Sequence, residues 1–252
     1  MDMGLRDKVA VVTGGATGIG AAIAESLAKE GCVVWLADRD GGEAERTARG
    51  FAAKGLRASS VVMDVTAPEQ VAAAIGRVRC EDRRLDVLVC NAGVLKTRPF
   101  RESPPEDWKE VVDVNLLGVV HCIREAVAGM AENGGGRIVN IASISAMRGG
   151  GSLGNTLYGT TKAGVVALTL GLARELGPIG ITVNAVAPAV ADTRMTRAVL
   201  SEEVRQRIVA RIPLGRLATP AEIADAVTFL ASDRARFVTG AVLPVDGGIL
   251  TT

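Results

Sequence analysis

The chain has 252 residues, 48% of them apolar and only 3% aromatic, with 30 glycines; that is enough to bury a substantial core in one large domain. Its 29 Lys and Arg against 28 Asp and Glu leave a formal charge of +1, which argues against a nucleic-acid or anionic-membrane binder, since either needs a basic excess on one face. No run of about 18 apolar residues is present to span a bilayer. The N-terminal MDMGLRDKVAVVTGG enters a strand-like run without a signal peptide's long apolar stretch and cleavage site, so a cytoplasmic protein is expected. Cys32, Cys80, Cys90 and Cys122 lack C-x-x-C spacing, and three of them lie in apolar runs. Reduced thiols are expected there, without a disulfide or a structural zinc.

Strand-like runs are predicted at 9–13, 33–37, 58–63, 87–90, 137–141, 182–186 and 241–245, and helical patterns at 20–30, 42–54, 68–78, 108–130, 160–176 and 220–231. VAVVT, DVLVC and RIVNIA are apolar with little alternation, the pattern of strands covered on both faces. Strands alternating with helices along the whole length predict an α/β fold, a doubly wound and mostly parallel sheet forming a single domain over residues 1–252. Two stretches interrupt the alternation: the glycine-rich 143–157, and 188–217, which carries a weak amphipathic helix near 202–210. Connections this long usually serve a binding site or lid, and 188–217 is read as a substrate lid.

The first strand runs into Thr13-Gly14-Gly15-Ala16-Thr17-Gly18-Ile19-Gly20, and a helix follows at once. Glycines permit a tight turn and close approach to a pyrophosphate, and the helix N-terminus supplies free N–H groups and positive dipole. Gly14-x3-Gly18-x-Gly20 is one residue longer than the usual dinucleotide fingerprint, and so is a variant of it. A plain strand-to-helix turn is the simpler alternative. The second strand ends at Asp38, whose carboxylate can accept from both adenine-ribose hydroxyls and would repel a 2′-phosphate. NAD is therefore expected over NADP, although Arg39 stands next door. The third strand leads to Asp64 and Val65 and the fourth to Asn91, Ala92 and Gly93, all at strand C-termini, where open α/β sheets bind ligands. Asp64 is equally readable as a helix cap before Pro68.

Tyr158 is the only tyrosine, and Lys162 follows it by four residues at the start of a helical pattern, so the two side chains share a helix face. A free phenol is a poor base at neutral pH, and adjacent cations stabilise the phenolate. The strand RIVNIAS ends at Ser143, which can present a hydroxyl to the same substrate oxygen.

Together, Thr13–Gly20, Asn91-Ala92-Gly93, Asn115 within DVNLLG, Ser143 and Tyr158-x3-Lys162 resemble the short-chain dehydrogenase/reductase family, with VNAVAP and VDGG extending the likeness over nearly the whole chain. The resemblance implies a seven-stranded sheet, homotetramers, and hydride transfer between nicotinamide C4 and a carbinol carbon. It makes Tyr158 the acid/base, with Lys162 holding the nicotinamide ribose and lowering the tyrosine pKa. Ser143 would bond the substrate oxygen, and Asn115 would kink its helix and hold a water linking Lys162 to solvent. Gly14, Thr17, Gly18, Ile19, Gly20, Pro188 and Thr193 join the cofactor set, Thr193 as a carboxamide contact. Two departures stand out. Ser143 precedes Tyr158 by 15 residues where the family often has about 13, a spacing that Ser145 meets, although the strand motif favours Ser143. Pro188-Ala189 replaces the usual Pro-Gly, which is tolerable only if the backbone there avoids φ > 0.

Gly150-Gly151-Ser152-Leu153-Gly154 matches a hydrolase nucleophile motif, but the only histidine, His121, precedes it and no strand leads into Ser152. His121 is expected to pack along its helix or at a subunit contact, and one histidine with scattered cysteines builds no metal site. A non-enzymatic cofactor-binding protein would have little need of the full Tyr-Lys-Ser-Asn set. The expected partner is a small alcohol or ketone, with a 3-oxoacyl-thioester reductase as the alternative. Substrate identity depends on 96–100, 146–157 and 188–217. There Arg148 is read either as a contact for an acidic substrate group or, more simply, as a solvated loop arginine.

Overall fold

Seven strands, β1 (Val9–Thr13), β2 (Val33–Asp38), β3 (Ala58–Val62), β4 (Val87–Cys90), β5 (Gly136–Ile141), β6 (Ile181–Pro188) and β7 (Val242–Val245), form one sheet. Its order is β3-β2-β1-β4-β5-β6-β7, and every pairing is parallel. The computed structural model describes residues 2–150 and 156–251; the hydrolase-like motif at 150–154 lies almost wholly outside them. The helices are α1 (Gly18–Lys29), α2 (Gly41–Ala52), α3 (Pro68–Asp82), α4 (Pro105–Val112), α5 (Gly118–Glu132), α6 (Ser145–Arg148), α7 (Thr156–Leu176), α8 (Arg194–Val199), α9 (Glu202–Val209) and α10 (Pro220–Ala231).

Alternate residues of each strand point to opposite faces, and both faces are apolar. Val9 and Val11 of β1 pack with Val71 and Ile75 of α3, Ile123 of α5 and Val165 of α7. Ala10 and Val12 pack with Ile23 and Leu27 of α1, Phe51 of α2 and Ile223 and Val227 of α10. Each such Val, Leu or Ile contributes about 1.5–3 kcal/mol, against about 0–1 for an exposed ion pair such as Arg77–Glu81. A third, smaller cluster joins Ile144, Ile208, Ile212, Leu217 and Ile249, binding α9 and the C-terminal segment to the start of α6. No helix among the described residues is long and apolar enough to cross a membrane.

Two expectations are corrected in detail. The run 108–130 is one apolar pattern in the sequence but three pieces in space: α4, a π-helical turn over Asp113–Leu117, and α5. A π turn inserts a residue without breaking the apolar face, so periodicity passes over it. The helix expected from 160 begins at 156, which places Tyr158 in its first turn. Thr156, Tyr158 and Gly159 are poor helix formers, and tertiary packing decides. Leu157 is buried, and a Cβ on Gly159 would come 2.5 Å from Gly150 N and 2.9 Å from Ser145 O.

Candidate active site

The strand order reverses between β1 and β4, and the turns leaving their C-termini meet there, at the position where open parallel sheets bind ligands. Gly14 has φ +61°, and a Cβ on it would lie 2.9 Å from Ala92 Cα; one on Gly20 would lie 2.0 Å from Gly14 O. The two turns are also sewn together by hydrogen bonds. Thr13 Oγ1 accepts from the Asn91 and Ala92 amides, both at 3.0 Å, while Asn91 Nδ2 donates to Thr13 O at 2.9 Å and Gly14 O at 3.1 Å. Thr13 was missed as a site residue by the sequence reading; its signal is a hydroxyl on the last residue of β1. The first turn of α1 carries no acidic residue, and its N-cap Thr17 makes no side-chain cap bond. Those amides fit a pyrophosphate.

Asp38 sits where a ribose clamp is expected, with one oxygen accepting from Ala16 N and the other from Asp40 N, each at 3.1 Å. It therefore shapes the glycine turn as well as facing the cleft. Asp64 does not cap α3, whose N-cap is Ala67. Instead Asp64 Oδ1 accepts from Thr66 N at 2.9 Å and Thr66 Oγ1 at 2.8 Å, closing an Asx turn that holds its carboxyl below the usual range. His121 Nδ1 lies 2.9 Å from Val65 O, so the histidine secures the segment after β3. These groups line a cleft of about 540 Å³ with Asp38, Arg39, Asp40, Glu43 and Asp64 at one end and Tyr158 and Lys162 at the other.

At that second end the reactive groups converge. Ser143, two residues past the end of β5, is buried; its Oγ accepts from Ser145 N at 3.1 Å, and it lines the same cavity as the half-buried Tyr158. Of the two serines the spacing left open, both line the cavity that Tyr158 borders, and Ser143 is the one whose hydroxyl lowers the phenol's pKa. Lys162, 2% exposed, donates from Nζ to Ile141 O at 2.6 Å and lies 5.6 Å from the Tyr158 ring centre. With protein groups alone, burial pushes the Tyr158 phenol up to about 12, opposed by the Ser143 hydrogen bond. Burial likewise brings the Lys162 ammonium down to about 8. Asn115, fully buried in the π turn, accepts from Val94 N at 2.8 Å and donates to Val94 O at 2.9 Å. Its side chain thus ties the kinked helix to the turn after β4.

Tyr158 also borders a second cavity of about 510 Å³, lined by Leu95, Ser143, Ile144, Arg148, Pro188–Ala191, Met195, Ile208, Arg211 and Ile249. Residues 188–217 thus supply much of its wall. Pro188 ends β6, and Ala189 N donates to Val245 O at 3.0 Å. Among the described non-glycine residues only Asp7 and Arg83 have positive φ, so alanine at 189 is unstrained. Thr193 borders both cavities but spends its hydroxyl capping α8, in a reciprocal box with Thr196. Arg148 is half-buried, with Nη1 donating to Ile249 O at 3.2 Å. A solvated loop arginine is not what the fold contains.

A family model described as enoyl-(acyl carrier protein) reductase matches residues 14–250. The cis-4-hydroxycyclohexanecarboxylate dehydrogenase of Sinomonas cyclohexanicum is 45% identical, over 96% of each chain. The 3-oxoacyl-[acyl-carrier-protein] reductase FabG of Aquifex aeolicus is 40% identical, over 99% of this chain and all of the relative. Among solved structures, gox2181 superposes with a TM-score of 0.97 at 36% identity, covering all of this chain and 98% of that one. A gluconate 5-dehydrogenase from Burkholderia cenocepacia, in complex with NADP and tartrate, has a TM-score of 0.94 at 33% identity, covering all of this chain and 98% of that one. The chain belongs to the short-chain dehydrogenase/reductase family. It is an oxidoreductase that works with a nicotinamide cofactor on CH–OH groups.

Proposed function

We propose that the protein is an NAD-dependent dehydrogenase of a secondary alcohol, a small hydroxy acid by analogy with the hydroxycyclohexanecarboxylate and gluconate enzymes, with Tyr158 as its acid/base. The observation that carries this reading is the placing of Tyr158 at the junction of the two cavities, with Ser143 on the wall of one, Lys162 on the wall of the other, and the Lys162 ammonium 5.6 Å from the tyrosine ring. When bound, the oxidised nicotinamide ring supplies a hydride acceptor and a positive charge. The substrate hydroxyl lies between Ser143 Oγ and Tyr158 Oη. Tyr158 removes the hydroxyl proton as the carbinol hydride leaves, and in the reverse direction returns it to the ketone oxygen. Lys162 holds the nicotinamide ribose and stabilises the phenolate. Asn115 positions Lys162 indirectly, through its grip on the turn after β4.

Gly14, Thr17, Gly18, Ile19 and Gly20 are assigned to the pyrophosphate, Asp38 to the adenine ribose, and Asp64 and Val65 to adenine. Asn91, Ala92, Gly93, Pro188 and Thr193 are assigned to the nicotinamide half. NAD is favoured over NADP by the Asp38 carboxylate, which repels a 2′-phosphate; Arg39 weighs the other way, and the gluconate 5-dehydrogenase neighbour holds NADP. We further assign 188–217 as a lid, the assembly as a homotetramer and the compartment as the cytoplasm. Reduction of 3-oxoacyl thioesters is the second reading, favoured by the 40% identity to FabG over the full length. The test is NAD(H)-linked turnover across secondary alcohols, hydroxy acids and acyl thioesters, with Tyr158→Phe alongside. The variant should lose turnover while NADH titration by fluorescence stays within about twofold. Turnover surviving in Tyr158→Phe would remove the proposed role.

A further inference from the structure

The two ends of the joined cavity differ in charge. Among the described residues the cofactor cleft carries Asp38, Asp40, Glu43 and Asp64 beside its cations, whereas the substrate cavity is lined by Arg148 and Arg211 and by no acid. Arg148 projects from the last position of α6, and among the described residues it meets no carboxylate. The Ile249 carbonyl takes one of its donors, and a guanidinium carries five. The walls around it, Ile144, Pro188, Val190 and Ile249, are apolar, so a charge there is screened less than on an open surface.

The backbone that carries Arg148 is also held in place. α6 lies against the start of α7, where a Cβ on Gly159 would come 2.9 Å from Ser145 O. That contact fixes Arg148 relative to Tyr158, the neighbour of Gly159. We propose that Arg148 is the carboxylate anchor of the substrate cavity. It would take a hydroxy acid with a compact apolar body, the acid on Arg148 and the hydroxyl on Ser143 and Tyr158. This deepens the alcohol-dehydrogenase reading and rests on it. Ser143, Tyr158 and Arg148 all line the one cavity of about 510 Å³, which has room for a six-membered ring or a chain of similar length. A planar fork matches a carboxylate in two parallel hydrogen bonds, which a lysine point charge does not.

The test compares cis-4-hydroxycyclohexanecarboxylate with its carboxamide, in wild type, Arg148→Gln and Arg148→Lys. In wild type the acid should be preferred in kcat/KM. Arg148→Gln should lower the acid-to-amide ratio by about 10- to 100-fold, mostly through the KM for the acid, the size of one charge-assisted interaction. Arg148→Lys should restore part of that ratio. Calorimetry of cyclohexanecarboxylate and cyclohexanecarboxamide binding to the NADH complex reads the same preference without turnover. If both substrates turn over but the ratio does not change in Arg148→Gln, the anchor is refuted and the dehydrogenase reading stands. If nothing turns over while Arg148-dependent carboxylate binding persists, the anchor stands and the assigned reaction falls. Equal binding of acid and amide to wild type overturns the anchor whatever the kinetics.

Discussion

Because Tyr158 is the only tyrosine in the chain, its ionisation can be read directly from near-ultraviolet phenolate absorbance. With protein groups alone, burial holds the phenol at about 12, roughly 2 units or 2.7 kcal/mol above a free phenol. Lys162 gives no help at that pH, since burial has brought its ammonium to about 8 and the charge is gone first. In the complex with oxidised cofactor, ribose hydroxyls accepting from the ammonium keep it charged. Its Nζ lies 5.6 Å from the tyrosine ring, and at an effective dielectric near 20 a charge at that distance is worth about 3 kcal/mol, or about 2 units. A nicotinamide ring bound at a comparable distance would double that effect, so the two cations together would bring the phenol from about 12 to between about 7 and 8. Absorbance titration should therefore give about 12 for the protein alone and about 7–8 with oxidised cofactor. With oxidised cofactor and Lys162→Met it should give about 10. A value near 7 in the protein alone, or a complex that Lys162→Met leaves unchanged, would refute the two-cation account.

Asp38→Asn should raise the Kd for NAD and narrow the preference over NADP, measured by fluorescence titration of both reduced cofactors; an unchanged ratio would remove Asp38 from the ribose site. Gly20→Ala would press a Cβ within 2.0 Å of Gly14 O, so a loss of at least about 1–3 kcal/mol in urea unfolding and weaker NADH binding are expected. Asp86 accepts from Val9 N and from both Nε and Nη2 of Arg84. Burial raises its pKa, but Arg84, the Val9 amide and Lys8 outweigh it and hold the carboxyl below the usual range. Its contribution is then fully present above about pH 4 and is lost as pH falls through the lowered folded value. Asp86→Asn should accordingly cost about 1–3 kcal/mol at neutral pH, with the gap to wild type closing in acid.

The strands were legible because both faces of the sheet are covered, so runs such as VAVVT carry their burial in the sequence itself. Most of the residues that line the two cavities were legible for a related reason. Asp38 ends a strand, Gly14–Gly20, Asn91–Gly93 and Ser143 follow the ends of others, and Tyr158 and Lys162 share a helix face, so local pattern nearly places them. Features that depend on distant partners were not legible. The apolar period ran straight through the π turn that buries Asn115, because the tie to Val94 lies 21 residues away. Asp64 has a cap's composition and position, and only the backbone path shows it closing a turn on Thr66 instead.

Arg148 is the sharpest case. In a glycine-rich loop it reads as solvated, yet its carbonyl partner is Ile249, 101 residues on, and its cavity wall comes from 188–217. Three apolar residues of that wall, Ile144, Ile208 and Ile249, belong to a cluster completed by Ile212 and Leu217 and drawn from three separated segments. Such a cluster can be repacked without touching a strand end or the Tyr158–Lys162 helix face. The groups read from local spacing can thereby stay fixed while the cavity wall varies, and for that reason the family was readable from local spacing while the proposed carboxylate anchor had to come from the fold.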